Sequence, residues 1–258
     1  MEKIFLDKYK LWLRKAKMDK DLEEELNEIN NNQKEIEDAF YKELEFGTGG
    51  LRGVIGAGTN RMNVYTVGKA SQGVANYIVN TFTPETRKVA ISYDSRIKSK
   101  TFAQIAAEVF AANGIHVYIY RSLMPTPCLS FAVRQLHCSA GIMITASHNP
   151  ANYNGYKVYG NDGCQITIEA ASKISIEINK VDVFKDIKRK QFFKAIENGC
   201  IEYIDDAIYT KYIEQVKMQG CIDKKQKGKE GFKIVYSPLN GTGLRPVIRT
   251  LKERGYKD

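Results

Sequence analysis

A serine and a lysine set close together in the chain carry the first sign of chemistry. Thr145-Ala146-Ser147-His148-Asn149-Pro150 grows out of the apolar run 141–145. The Ser147 hydroxyl is therefore expected on the rigid end of a strand, beside an imidazole and an amide. Pro150 restricts Asn149 to extended or turn geometry. The segment is not a G-x-S-x-G elbow, and no hydrolase triad order accompanies it; the same residues would also make a Ser/Asn/Pro turn. A few positions on, Asn154-Gly155-Tyr156-Lys157-Val158-Tyr159-Gly160 places a lysine between aromatics in a short strand. Partial desolvation there would lower the Lys157 pKa and make it a usable proton acceptor. The alternative is an edge-strand lysine with its head in water.

Two earlier segments suit the recognition of phosphate. Gly47-Thr48-Gly49-Gly50-Leu51-Arg52-Gly53 combines glycines, which let backbone N–H groups approach an anion, with the planar cationic fork of Arg52. It is neither a P-loop nor a dinucleotide fingerprint, and a glycine turn with a surface arginine fits it equally. Tyr93-Asp94-Ser95-Arg96 ends another expected strand, where ligands gather in α/β sheets. Asp94 and Arg96 could touch a phosphate or form a salt bridge that orders the site, and the second role is favoured.

The elements that must hold these residues alternate. Apolar spacing of three and four predicts two helices within residues 2–46, divided at Asn30-Asn31-Asn32, with Trp12 a packing residue. Helices are expected over 66–81, 100–113, 126–135, 168–179, 206–218 and 244–254. Short β-rich runs are expected at 88–94, 115–120, 141–145, 156–159 and 232–236. This alternation argues for a three-layer α/β/α domain with a mixed sheet, followed by the start of a second α/β domain.

Composition narrows the classes. Of 258 residues, 39 are Lys or Arg and 30 Asp or Glu, a net +9. The excess is concentrated after residue 180, in the runs 185–190 and 224–229. Neither interleaves aromatics with base-reading side chains, so nucleic acid is not expected as a partner. Cys128, Cys138, Cys164, Cys200 and Cys221 are an odd, dispersed set without a C-x-x-C pair, which suits reduced thiols. No apolar run approaches the ~20 residues of a membrane helix, and the charged start lacks a signal-peptide core. A soluble cytoplasmic protein without a membrane partner is expected; the sequence does not indicate an oligomeric state.

In this order FGTGGLRG (46–53), YDSR (93–96), PTP (125–127), TASHNP (145–150), NGYKVYG (154–160) and SPLNGTG (237–243) resemble the α-D-phosphohexomutases, the phosphoglucomutases and phosphomannomutases. The FGTGGLRG form is most similar to the branch holding phosphoglucomutases and phosphopentomutases. The resemblance implies that Ser147 is the phosphoserine that donates and re-accepts the phosphoryl group, its phosphate offering one oxygen to Mg²⁺. His148, Arg52 and the general acid/base Lys157 would complete the catalytic set. Thr48, Gly49, Gly50, Asn149, Asp94 and Arg96 would bind substrate or phosphate. Implied with them are a phosphorylated hexose substrate, interconversion of glucose 1-phosphate and glucose 6-phosphate, and glucose 1,6-bisphosphate as intermediate. A non-catalytic phosphosugar-binding module, or phosphomannose or phosphopentose specificity, is the alternative. The resemblance also implies N-terminal helices over 1–45, domain I over 46–187, a linker over 188–204 and the incomplete start of domain II over 205–258. The family's D-x-D-x-D-R metal loop does not occur in these residues. We therefore expect an N-terminal part of a longer enzyme, inactive alone.

Overall fold

The computed structural model describes residues 2–220 and 232–256. Three helices come first: α1 (Glu2–Lys15), α2 (Lys20–Glu28) and α3 (Gln33–Phe40). They pack on the rest of the molecule through Trp12, which is 2% exposed. Its ring meets Phe40, Tyr65 and Phe184 edge-to-face at 5.3–5.7 Å. Each such aromatic pair adds about 0.5–1.5 kcal/mol beyond the burial itself. The packing role expected of Trp12 is the one observed. The helical stretch divides once more than the apolar spacing predicts: Asp19 caps α2 by accepting from the Asp21 amide, which starts a new helix after residues 16–18.

Then follow β1 (Leu51–Val54), α4 (Val64–Thr81), β2 (Lys88–Tyr93), α5 (Ser99–Ala112), β3 (His116–Ile119), α6 (Thr126–Gln135), β4 (Ala140–Ile144), β5 (Tyr153–Gly160) and α7 (Ile168–Asn179). The last elements are α8 (Phe192–Glu197), β6 (Ile201–Tyr203), α9 (Asp206–Met218) and α10 (Leu244–Glu253). One six-stranded sheet runs β1-β5-β4-β2-β3-β6. It is mixed: β2 is parallel to β3 and β4, β3 is parallel to β6, and β5 runs antiparallel to both β4 and β1. β4 is buried along its whole length, as a strand covered on both faces must be. Helices α4, α5 and α7 lie with the N-terminal helices over one core, while α6 and α9 close a second core on the opposite face. These are the three layers expected.

Helix α4 shows how local sequence sets the frame. Asn63 accepts from the Tyr65 and Thr66 amides, and the Thr66 hydroxyl accepts from the Asn63 amide, a complete capping box. Asn63 also donates to the carbonyls of Gly56 and Gly58. The cap thereby ties the helix start to the chain leaving β1.

Three expectations change. Residues 188–204, read as a linker, hold α8 and the edge strand β6. A three-residue strand is too short to show a period, and only its ladder with β3 defines it. The glycine segment contains β1, which sequence left irregular because two glycine-flanked positions cannot show alternation. Residues 232–236, expected as a strand, carry no ladder: a strand needs a partner, and none lies beside them among the described residues. Cys221 and the basic run 224–229 lie outside the described residues. Cys128, Cys138, Cys164 and Cys200 are free thiols, and burial pushes Cys128 and Cys138 up to about 12. Among the described residues no helix is long and apolar enough to cross a membrane.

Candidate functional site

The loop between β4 and β5 carries Ser147 and is fastened at both ends. Thr145, buried at the end of β4, donates its amide to the Gly155 carbonyl at 3.0 Å, and its hydroxyl accepts the Ser147 amide at 2.9 Å. Ser147 itself sits in the left-handed region at φ 57°, a conformation that costs an L-residue roughly 1–2 kcal/mol. The surrounding bonds must therefore hold it. Its side chain is exposed, and Oγ lies 3.4 Å from Nδ1 of His148.

Arg96 supplies most of that hold. Nη1 donates to the carbonyls of Pro150 at 2.8 Å and Tyr153 at 3.0 Å. Nη2 donates to Ser147 at 2.8 Å and Asn149 at 2.6 Å. Nε faces Asp94 Oδ2 at 3.4 Å. All five guanidinium N–H groups thus point at the loop or at Asp94. The other Asp94 oxygen accepts from the Arg96 amide and the Ser99 hydroxyl. Both residues are expected from sequence among the phosphate-binding groups. In the structure their donors and acceptors are engaged within the protein, with each other, with Ser99 and with the serine loop.

Asn154 completes the scaffold from β5. It is fully buried, donates to the Ile97 carbonyl at 3.0 Å and Ser99 Oγ at 2.9 Å, and accepts from the Gly155 amide. The sequence motif contains Asn154 without marking a role for it, and nothing local singles out Ser99. The available sign is a small polar residue near the start of a tyrosine-rich strand, which must find internal partners where it is buried.

Lys157 and Arg52 share one face of the sheet. Arg52 stands opposite Gly155 in the β1–β5 ladder, and Lys157 is two residues further along β5, on the diagonal. Burial lowers the Lys157 pKa below the ordinary lysine value, and the nearby Arg52 charge lowers it further. Arg52 Nη1 donates to Asn149 Oδ1 at 2.9 Å, so the edge strand reaches across to the serine loop. The turn before it needs its glycine. Gly50 has φ 75°, and a Cβ there would lie 1.9 Å from the Tyr156 carbonyl oxygen. Gly47 and Gly50 close the turn by exchanging backbone bonds. Gly49 has open space around its Cα, and the Thr48 carbonyl accepts from Gln165. The structure therefore brings Ser147, His148, Asn149, Arg52 and Lys157 to the carboxyl end of β4 and its β5 and β1 neighbours. Of Thr48, Gly49 and Gly50, it is Gly50 that lies against the backbone of β5, at Tyr156 and Lys157.

The donor set for a metal is thin. Among the described residues no group of three or more His, Cys, Asp or Glu side chains could hold an ion. Mg²⁺ takes near-octahedral oxygen coordination. Asp94, whose partner Arg96 grips the serine loop, is already occupied by Arg96 and Ser99. These residues do not fit a metal centre by themselves.

A mixed α/β/α domain here sets a strand-end serine loop near the cationic side chains of Arg52 and Lys157, groups suited to an anion. Residues 43–184 match the family model described as phosphoglucomutase/phosphomannomutase, alpha/beta/alpha domain I. The chain belongs to this family. Over 218 residues it is 40% identical to a phosphoglucomutase of Staphylococcus saprophyticus, covering 84% of this chain and 38% of that protein. It is 38% identical over 225 residues to a Schizosaccharomyces pombe protein named "Probable phosphoribomutase", covering 84% and 37%. A crystal structure assigned to the phosphomannomutases, from Thermus thermophilus, superposes with a TM-score of 0.65 at 27% identity, covering 84% of this chain and 44% of that one. The chain thus spans about two fifths of the length of the curated relatives it matches.

Proposed function

We propose that the chain is the N-terminal part of a phosphoglucomutase-type enzyme that interconverts a sugar 1-phosphate and 6-phosphate through a phosphoserine at Ser147. The observation that carries this reading is the strained, exposed Ser147 held by the Arg96 clamp beside Lys157 and Arg52. In the proposed scheme residues 46–187 serve as the phosphoserine domain and residues 205–258 begin a second domain. The substrate is a phosphorylated hexose, glucose phosphate first, in the cytoplasm, with glucose 1,6-bisphosphate as the intermediate.

The chemistry follows from the side chains. A phosphoryl group on Ser147 adds about −1.5 to −2 charge, which Arg52 and Lys157 face. A sugar hydroxyl attacks the phosphorus; the O–P bond to the sugar forms as the bond to Ser147 Oγ breaks. The hydroxyl proton passes to the Lys157 amine, whose lowered pKa makes the neutral, proton-accepting form more accessible than in an ordinary lysine. Ser147 Oγ, released in the first transfer, takes up a proton from solvent; after the bisphosphate turns over, it attacks the other phosphate and gives that proton back to solvent, while Lys157 returns its proton to the sugar oxygen that leaves. Arg52 holds charge on the transferring group, and Asn149 is oriented for the reacting oxygens by Arg52. Mg²⁺ would supply further charge neutralisation; Ser147 phosphate would offer one oxygen, with the remaining ligands drawn from outside these residues.

The test uses the full-length gene product. Incubation with glucose 1,6-bisphosphate followed by phosphopeptide mapping should place phosphate on Ser147, and Ser147→Ala should remove both the phosphate and mutase activity. Phosphate on another residue, with Ser147→Ala fully active, would sink the proposal. The name of the S. pombe relative makes ribose 1-phosphate the competing substrate, and comparing kcat/KM for the two sugars decides between them.

A further inference from the structure

A second concavity lies away from the serine loop. A cavity of about 250 Å³ opens between the N-terminal helices, β1, α4 and the chain after α7. Leu11, Trp12, Leu44, Leu51 and Ile178 contribute its apolar wall, and Lys8 is among the residues that line it. Leu51 and Arg52 are consecutive on β1, so their side chains leave opposite faces of the sheet. The cavity is therefore separate from the proposed phosphate site.

Four charged side chains line it, Lys8, Lys69, Glu43 and Asp182. Lys69 and Glu43 pair at 2.5 Å. Asp182 accepts the Phe184 amide at 2.8 Å and faces Lys185 at 3.7 Å. Lys8 is half-buried and has no ion-pair partner among the described residues. An uncompensated ammonium beside an apolar hollow selects an anion with an apolar body. At about 30 Å³ per water the space equals roughly eight waters, which suits a ligand of about ten non-hydrogen atoms.

We infer that this cavity binds a small amphipathic carboxylate, its apolar body against Trp12, Leu44 and Leu51 and its head on Lys8. The occupant would press on Leu51, the residue before Arg52, so the site is placed to influence β1 from beneath.

The protein carries its own reporter, because Trp12 is the single tryptophan of the chain. The probe is octanoate, with octanol as the uncharged control. Equilibrium dialysis of labelled octanoate against the 258-residue protein should show one saturable site, with a matching change in Trp12 fluorescence. Octanol should bind at least about ten-fold more weakly, the loss of roughly one charge-assisted contact. Lys8→Met, which keeps the apolar stem, should erase the preference for octanoate, and Leu11→Phe should fill the space and weaken both probes. Circular dichroism verifies that each variant is folded. Absence of saturable binding, binding without a change at Trp12, equal affinity for the two probes, or octanoate preference intact in folded Lys8→Met would each overturn the inference. None of these readouts depends on mutase activity.

Discussion

Replacing Arg96 by lysine isolates what the guanidinium contributes. Arg96 donates to four carbonyls spread over Ser147, Asn149, Pro150 and Tyr153. Lysine keeps the charge but has one nitrogen and three donors, without the fork that spans those acceptors. Each lost bond is worth about 1 kcal/mol net, and water can reach part of this loop, so the closed loop should lose about 2–3 kcal/mol. That raises its open fraction roughly 30- to 150-fold. Amide hydrogen exchange reads this directly, because the Ser147, Asn149 and Tyr153 amides are all bonded within the loop. In Arg96→Lys they should exchange faster by that factor, while amides of β2 and β4 keep their rates. Even if the whole loss reached global stability, Tm would fall by at most about 2–4 °C per kcal/mol in a chain of this size. Unchanged loop exchange, or equal acceleration throughout the sheet, would refute the clamp.

Two further perturbations probe the neighbouring groups. NMR titration of the Lys157 side chain should give a pKa below that of ordinary lysines, and Arg52→Met should raise it partway, because burial remains the larger cause. The linked effect on stability has a definite sign: the folded state resists protonating Lys157, so its penalty is full below the folded pKa and disappears as pH rises through the window up to the unfolded value. Lys157→Met should therefore stabilise the chain at neutral pH and lose that advantage in strong alkali; a constant difference across pH would contradict this. Gly50→Ala should lower Tm by several degrees, since the positive φ alone costs roughly 1–2 kcal/mol and the Cβ meets the Tyr156 carbonyl. Gly49→Ala, in open space, should change it by no more than about a degree or two, and equal losses would contradict the turn geometry.

Much of this is legible in the sequence where patterns are long. Helices α5, α6 and α7 and the buried strands β2 and β4 announce themselves through apolar runs and period, and the serine loop through its place after one of them. The unread parts depend on distant partners. β1 and β6 exist because β5 and β3 offer ladders, and residues 232–236 have apolar strand composition without such a neighbour. The site shows the same division. Ser147 and Lys157 stand in one short stretch, and the chemistry of their side chains can be weighed there. Whether Arg96 faces solvent or the loop depends on where residues 147–153 are placed, and no local pattern encodes that. The same holds for Asn154 and Ser99, which meet only after β5 pairs with β4.

The Arg96 clamp also has a place in time. Its guanidinium precedes the carbonyls it serves by 51 to 57 residues, so on a growing chain it emerges well before any of them. Until β4 and β5 pair, the cation has nothing to hold and remains hydrated. The β4–β5 hairpin is local and closes quickly, whereas the clamp must await its docking beside β2. Bonds made only after the rate-limiting assembly of a sheet have no share in its barrier. They slow the escape from the finished state and leave the speed of reaching it unchanged. The loop's order is thus a property of the mature molecule's persistence, added after the fold has been chosen.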